Sequence, residues 1–395
     1  HNIVQKELGN KDSKTISDIW FFSFKSKSIA LLISLITITS FLTILFVEIY
    51  IGSVLLTYYF PEDFKYGGLI SFTLISVFIV GYVRLGGLKA VMQTDQWQMR
   101  ILIASVFALL FASLFIPTTN NVTFIFSSLF HFSSNWSSIL FFWMWILALN
   151  ISLPWGQLSS WQRISSAKSD DEVWRGLKNN IINFLIVWMI PVIGFIILVA
   201  KGYKLNDLPT FFDILKSVPG LISEVFYPLI VVGFASALFS TADTAVVALG
   251  TSFVDKNALG DYLSTKSERL VKSLLTVFSV VILLMIGILF FLAKVNIGEW
   301  FMPLIYNIFG QLAIVAPLCF YALKVTNDRP LTLSTKGVVI IFLGLLLSWF
   351  LIIYSTFLNK LYSSTHYSEF ATIFGIIISY LCLRLGLKLS KTQSE

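Results

Sequence analysis

Charge is scarce in this 395-residue sequence: Asp, Glu, Lys and Arg make up 12% of it, against 56% hydrophobic residues. Soluble domains carry about 25% charge, so a string of soluble domains is excluded. Cysteine is nearly absent. Cys319 and Cys382 both lie inside apolar runs, which rules out a disulfide framework and leaves each as a small buried hydrophobe. Histidine is equally rare. His1 falls in the tail, His131 and His366 in outer connections, and no HExxH or Cys/His spacing for zinc accompanies them. No GxxxxGK[ST] loop is present to cradle a nucleotide phosphate, so ATP-driven work by this polypeptide is excluded. With neither a metal nor a nucleophile constellation, the chain does not read as an enzyme. No cleavable leader pattern opens it, and a start at His1 in place of Met reads as a processed or truncated chain.

What the sequence has in abundance is apolar length. Ten runs approach the ~20 residues that cross a bilayer: 29–58, 69–84, 101–117, 139–155, 181–200, 221–251, 270–294, 301–324, 337–358 and 370–387. The fold class is therefore all-α, a polytopic transmembrane helix bundle of the plasma or inner membrane. Most of the 28 Lys and Arg sit in alternate connections, which places both ends of the chain on the cytoplasmic side. The net charge of +7 is then a signal of topology, and nucleic acid is not a partner.

Against this apolar background a few polar residues need a reason, since a carboxylate at bilayer mid-depth costs roughly 2.5–3.5 kcal/mol on insertion scales. The sixth run contains FASALFSTADTAVVALG. At about 100° per residue, Gly233, Ser236, Ala237, Ser240, Thr241, Thr244 and Ala248 fall on one arc, with Asp243 at its edge and Val247 the one bulky intruder. Such a stripe has two readings. Small residues let helices pack closely, and hydroxyls bond across the interface or back to the i−4 carbonyl. Alternatively, neutral oxygens hold an alkali cation weakly enough to release it, with Asp243 adding charge. Asp243 could equally cap or pair with a neighbouring helix.

The fourth run reads ILALNISLPWGQLSSWQR. Asn150 and Ser152 precede a Pro154-Trp155-Gly156 interruption and Gln157 follows it, so the helix is expected to bend or unwind there and line a cavity, or simply to kink. Trp155 also fits a lipid-facing or interfacial role. The eighth run carries Tyr306, Asn307, Gly310, Gln311 and Pro317; Asn307 and Gln311, at i and i+4, suit interhelical bonds or a solute. Glu48, near the outer end of the first run, is placed to snorkel to the interface. Among the connections, 86–96 reads as an inner loop in which Gly86-Gly87 caps a helix, 161–177 as a solvated linker, and 208–220 as a short amphipathic lid helix lying on the membrane.

Three stretches in this order, GGLKAVMQTDQWQ, WQRISSAKSDDEVWRG and the A-x-x-S-T of ALFSTADTAV, resemble the sodium/solute symporter family, and the opening TISDIWFFSFKSKS is similar to the inner segment before that family's third core helix. The resemblance implies a LeuT-type fold of two inverted five-helix repeats, with solute and sodium held near mid-membrane. Residues 1–28 would be a cytoplasmic segment, 29–324 core helices three to ten, and 325–395 two further helices with a short cytoplasmic tail. The broken fourth helix would then match the family's sixth. By the family pattern Ala237 offers sodium a backbone carbonyl and Ser240 and Thr241 their hydroxyls, with Thr244 and Asp243 extending the site. Solute contacts would come from Asn150, Trp155, Gln157, Tyr306, Asn307 and Gln311. The first two core helices and the helix before them have no counterpart, which implies a fragment of a longer, thirteen-helix transporter. The function expected is sodium-coupled import of a small polar solute, with Na+ the coupling ion; the alternatives are a membrane solute sensor that does not transport, and an inactive truncated transporter.

Overall fold

A computed structural model describes residues 15–57, 60, 66–119, 136–156, 169–203, 208–253, 281, 287, 298–325, 332–362 and 366–391. Its helices are α1 (Ile16–Phe24), α2 (Lys27–Thr57), α3 (Gly67–Phe115), α4 (Trp136–Gly156), α5 (Asp170–Ala200), α6 (Leu208–Ser217), α7 (Tyr227–Phe253, entered through a π-helical turn at Ile222–Phe226), α8 (Gly298–Val325), α9 (Thr335–Tyr362) and α10 (His366–Lys391). No strand occurs among the described residues. Among the described residues seven helical segments are long and apolar enough to cross a membrane, and Gly67–Ile79 and Trp143–Leu153 are shorter apolar stretches. The protein is an integral, multi-pass membrane protein. The run expected at 270–294 lies outside the described residues except at Val281 and Gly287, both helical.

Local sequence explains the helix starts. Thr15 and Asp18 form a reciprocal capping box: the Thr15 hydroxyl accepts from the Asp18 amide at 3.0 Å, and the Asp18 carboxylate accepts from the Thr15 amide at 3.1 Å. The short α1 this creates is no solvated tail: Trp20 and Phe24 are buried, ring centroids 4.1 Å apart, and Phe24 stacks on Tyr321 of α8. Ser169 caps α5 by accepting from the Glu172 amide at 3.3 Å, and Asp171 and Glu172 complement the helix dipole. The linker expected over 161–177 is therefore helical from Asp170 onward.

Local backbone conformation is helical through the 49 residues of α3, Gly86 and Gly87 included, so the segment expected as a loop over 86–96 is helical. A straight helix of that length would be about 74 Å long, over twice the ~30 Å hydrocarbon core. The contacts show how it fits. Ser71 meets Thr57 and Ile75 packs on Gly52, so the 67–79 limb runs antiparallel to α2. Ser34 bonds the Ser252 carbonyl while Gly52 approaches Leu238, so α2 runs antiparallel to α7. Asp95 meets Ser240, Ser105 meets Gly233 and Phe111 meets Phe226, so the 93–115 limb is antiparallel to α7 as well. The two limbs thus point in opposite directions, as two spans must, and α7 is flanked by both.

Helix α2 and α8 occupy the centre of the bundle, and α5 lies outside, with Ile181, Leu185, Trp188, Val192 and Ile196 exposed as a lipid-facing side chain set. The amphipathic α6 does form. Its apolar stripe of Phe211, Phe212 and Leu215 is buried against Phe195, Tyr227 and Phe234, so it packs on protein and does not lie on the membrane. Beside it, Lys201 caps the outer end of α3: its ammonium donates to the Leu114 and Ile116 carbonyls at 2.6 and 2.5 Å, and burial lowers its pKa from the ordinary lysine value.

Close helix crossings rest on small residues. A Cβ at Gly233 would overlap the Ser105 side chain. Gly233→Ala should cost roughly 1–3 kcal/mol of stability, measured by thermal unfolding in detergent, and Ser105→Gly in the same chain should recover part of the loss.

Candidate functional site

The hydroxyl stripe of α7 meets the 93–115 limb of α3. Ser240 donates to the Asp95 carboxylate at 2.5 Å, and both groups sit within membrane-spanning helix. One turn along the same face, Gln98 holds its Oε1 buried without a donor among the described residues. Asp243 is fully buried, and the Thr244 hydroxyl lies 3.5 Å from its carboxylate. Thr241 is exposed and donates back to the Ala237 carbonyl at 3.2 Å. The structure therefore pairs Ser240 with Asp95 across the two helices and Thr244 with Asp243 along α7, while the Thr241 hydroxyl returns to the Ala237 carbonyl. Groups of three or more His, Cys, Asp or Glu able to hold a metal are absent among the described residues.

Asp95 and Gln98 do not stand out as site residues in the sequence. Their stretch, TDQWQ, is polar enough to read as loop, and nothing in its periodicity reveals that helix continues through it to carry both oxygens against α7. The pair's i, i+3 spacing is the available signal.

The second set of candidates lies on α8. Gln311 Oε1 accepts from the Thr39 hydroxyl of α2 at 2.8 Å and from Trp349 Nε1 of α9 at 3.0 Å. Gln311 Nε2 donates to Asn307 Oδ1, and Asn307 Nδ2 donates to the Thr356 hydroxyl at 2.9 Å. Both amides are buried and tie three helices together. Tyr306, also buried, packs its ring 4.4 Å from that of Trp145 on α4. Asn150 stands apart on the exposed face of α4, its amide donating to the Ile146 carbonyl at 2.8 Å. The break expected at Pro154-Trp155-Gly156 does not interrupt α4, which is helical through Gly156. Gly156 has a different use: a Cβ there would overlap the Leu312 carbonyl oxygen, so the glycine lets α4 cross α8 backbone to backbone. The side chain of Trp155 and all of Gln157 lie outside the described residues, as does the rest of the connection to 168.

The fold has a counterpart among solved structures. The chain is similar to a structure described as the substrate-bound outward-open state of a Na+-coupled sialic acid symporter that reveals a novel Na+ site; the likeness covers 98% of this chain and 82% of that one, at 18% sequence identity and a TM-score of 0.60. This chain therefore shares the helical-bundle fold of a membrane transporter. No family model and no curated protein matches the sequence.

The Gln311 cluster makes a measurable claim about coupling between helices. Gln311→Met and Trp349→Phe should each lower thermal stability in detergent, and a double-mutant cycle should return about 0.6 kcal/mol of coupling, the average for interhelical bonds in membranes.

Proposed function

We propose that the protein is a secondary active symporter that uses the inward sodium gradient to import a small polar solute, with its helices in a LeuT-type inverted-repeat arrangement. The observation that carries this reading is the meeting of Ser240 and Asp95 at 2.5 Å between two membrane spans. A carboxylate in that position is expensive unless it faces a cation, a donor or water, which is why such groups mark ion pathways. The oxygens these two helices carry are hard ones: the Asp95 carboxylate with the Ser240 hydroxyl, the Asp243 carboxylate with the Thr244 hydroxyl, and the Gln98 Oε1, which has no donor among the described residues. Oxygen-only sets of mixed charge suit an alkali cation, and the hydroxyls keep the affinity low enough for release. Similarity over nearly the whole chain to a sodium-coupled symporter supports the same reading.

In this reading sodium bridges α7 and the 93–115 limb and is carried inward as co-substrate. Ser240 turns its hydroxyl proton from Asp95 toward an alternative acceptor when the ion is present, so that Asp95 offers its charge to the cation. Ala237 and Thr241 join once their mutual bond opens. The solute binds between α4 and α8, where Tyr306, Asn307 and Gln311 stand ready to exchange interhelical bonds for bonds to cargo, with Asn150, Trp155 and Gln157 extending the site. Each ion need only favour one of two conformations for its gradient to drive the other step.

Proteoliposomes of the full-length protein, given an inward sodium gradient and a panel of sugars, amino acids and carboxylates that includes sialic acid, test the proposal. Uptake of one panel member should collapse when potassium replaces sodium; undiminished uptake in potassium would overturn the coupling. Asp95→Asn should raise the sodium concentration for half-maximal uptake by about tenfold, the effect of losing ~1.4 kcal/mol of ion binding, and Ser240→Ala and Thr241→Ala should shift it in the same direction at unchanged expression.

A further inference from the structure

The face of α7 opposite the hydroxyl stripe borders a separate cavity. It has a volume of about 160 Å³ and lies between α2, the 67–79 limb of α3 and α7. Its walls include Ile75, Val231, Leu238 and Phe239, and Glu48 is the single charged residue in its lining. Glu48 makes no hydrogen bond or ion pair with any described residue. It lines this space from α2. One turn further along α2, Gly52 keeps the space open: a Cβ there would lie 3.0 Å from Ile75 Cδ1 and 3.9 Å from Leu238 Cδ1.

Chemistry narrows what such a cavity can take. An ionised carboxylate among apolar walls is costly without a compensating charge. A metal ion is a poor occupant, because hard cations want six or more oxygens and Glu48 carries the single carboxyl group among these walls. An anion or zwitterion brings the wrong charge. An organic ammonium suits the lining: its N–H groups can donate to the carboxylate, and the walls of Phe239 and the aliphatic residues can cover an apolar body. Size sets the upper bound, since a 150 Å³ apolar cavity holds a benzene. One ring or one short branched chain fits and a larger amphiphile does not. We propose that the cavity binds a compact lipophilic ammonium, with the Glu48 carboxylate as its counter-ion.

The probe is benzylammonium, titrated calorimetrically into the full chain in nanodiscs against empty nanodiscs, with benzyl alcohol as the neutral isostere. Saturable binding of benzylammonium, at least about tenfold tighter than benzyl alcohol, is expected. Glu48→Gln should weaken it by roughly thirtyfold, as loss of one partner of a buried charge pair does, and Ala235→Phe, which fills the cavity, should abolish it. Equal affinity for the two probes, no saturable heat because lipid or another part of the chain holds the cavity, or a Glu48→Gln chain that binds as the parent does would each overturn the proposal. The probe pair on the parent chain is decisive even where a variant fails to fold. Because binding is read without uptake, the result is independent of whether the protein couples solute to sodium.

Discussion

Inside a bilayer no water is at hand to satisfy a polar atom, and this single constraint sorts the polar residues of the protein into two kinds. Most hydroxyls settle the matter locally by donating to the carbonyl four residues back, as Thr37, Thr43, Ser76, Ser113 and Thr251 do. These cost little and carry no tertiary information. A smaller group reaches across helices: Ser240 to Asp95, Ser379 to the Ile314 carbonyl, Ser348 to the Gly375 carbonyl, and the amides of Asn307 and Gln311 to Thr356, Thr39 and Trp349. Those bonds fix which helix meets which, because lipid tails compete with apolar side chains for one another and give helices little hydrophobic reason to associate. Close crossings at Gly156 and Gly233 bring the backbones near enough for the short side chains involved to reach.

That division explains what can be read in the sequence. Hydropathy and 3.6-residue periodicity are properties of single segments, so the spans, the stripe on α7 and the amphipathic face of α6 are all legible from the order of residues alone. The partner of each face is not. Nothing local tells that Phe211, Phe212 and Leu215 meet Phe195 and Phe234 and not acyl chains. Asn307 and Gln311 announce a polar face by their spacing, yet only three-dimensional neighbours show that both amides are engaged with α2 and α9. Asp95 is hidden for a related reason: the polar TDQWQ looks like loop by composition, and helix there is held by contact with α7, a tertiary effect overriding local preference.

The same logic bears on the α8 cluster as a place for cargo. A buried amide that already has its partners must give them up to bind a solute, and the exchange is near neutral only where the solute offers equivalent donors and acceptors. Gln311 Oε1 accepts two bonds while Nε2 spends one of its two protons on Asn307. A polar solute entering beside Tyr306 and Trp145 would therefore be selected by its ability to replace the Thr39 hydroxyl or the Trp349 indole, and an apolar one would be rejected by the groups it leaves unpaired.

Helix α7 is the element on which the two proposed sites meet. Its hydroxyl face meets Asp95 on one limb of α3, and its opposite face borders the cavity lined by Glu48 and by Ile75 of the other limb. Both limbs belong to one segment, 67–115, so α7 is held between two arms joined through residues 80–92. On the proposed reading, a cation at Ser240 and Asp95 and an ammonium beside Glu48 would both bear on the position of α7. If the two ligands favour the same position of α7, each raises the affinity for the other by the same factor, and if they favour different positions each lowers it equally, because coupling between binding sites is reciprocal.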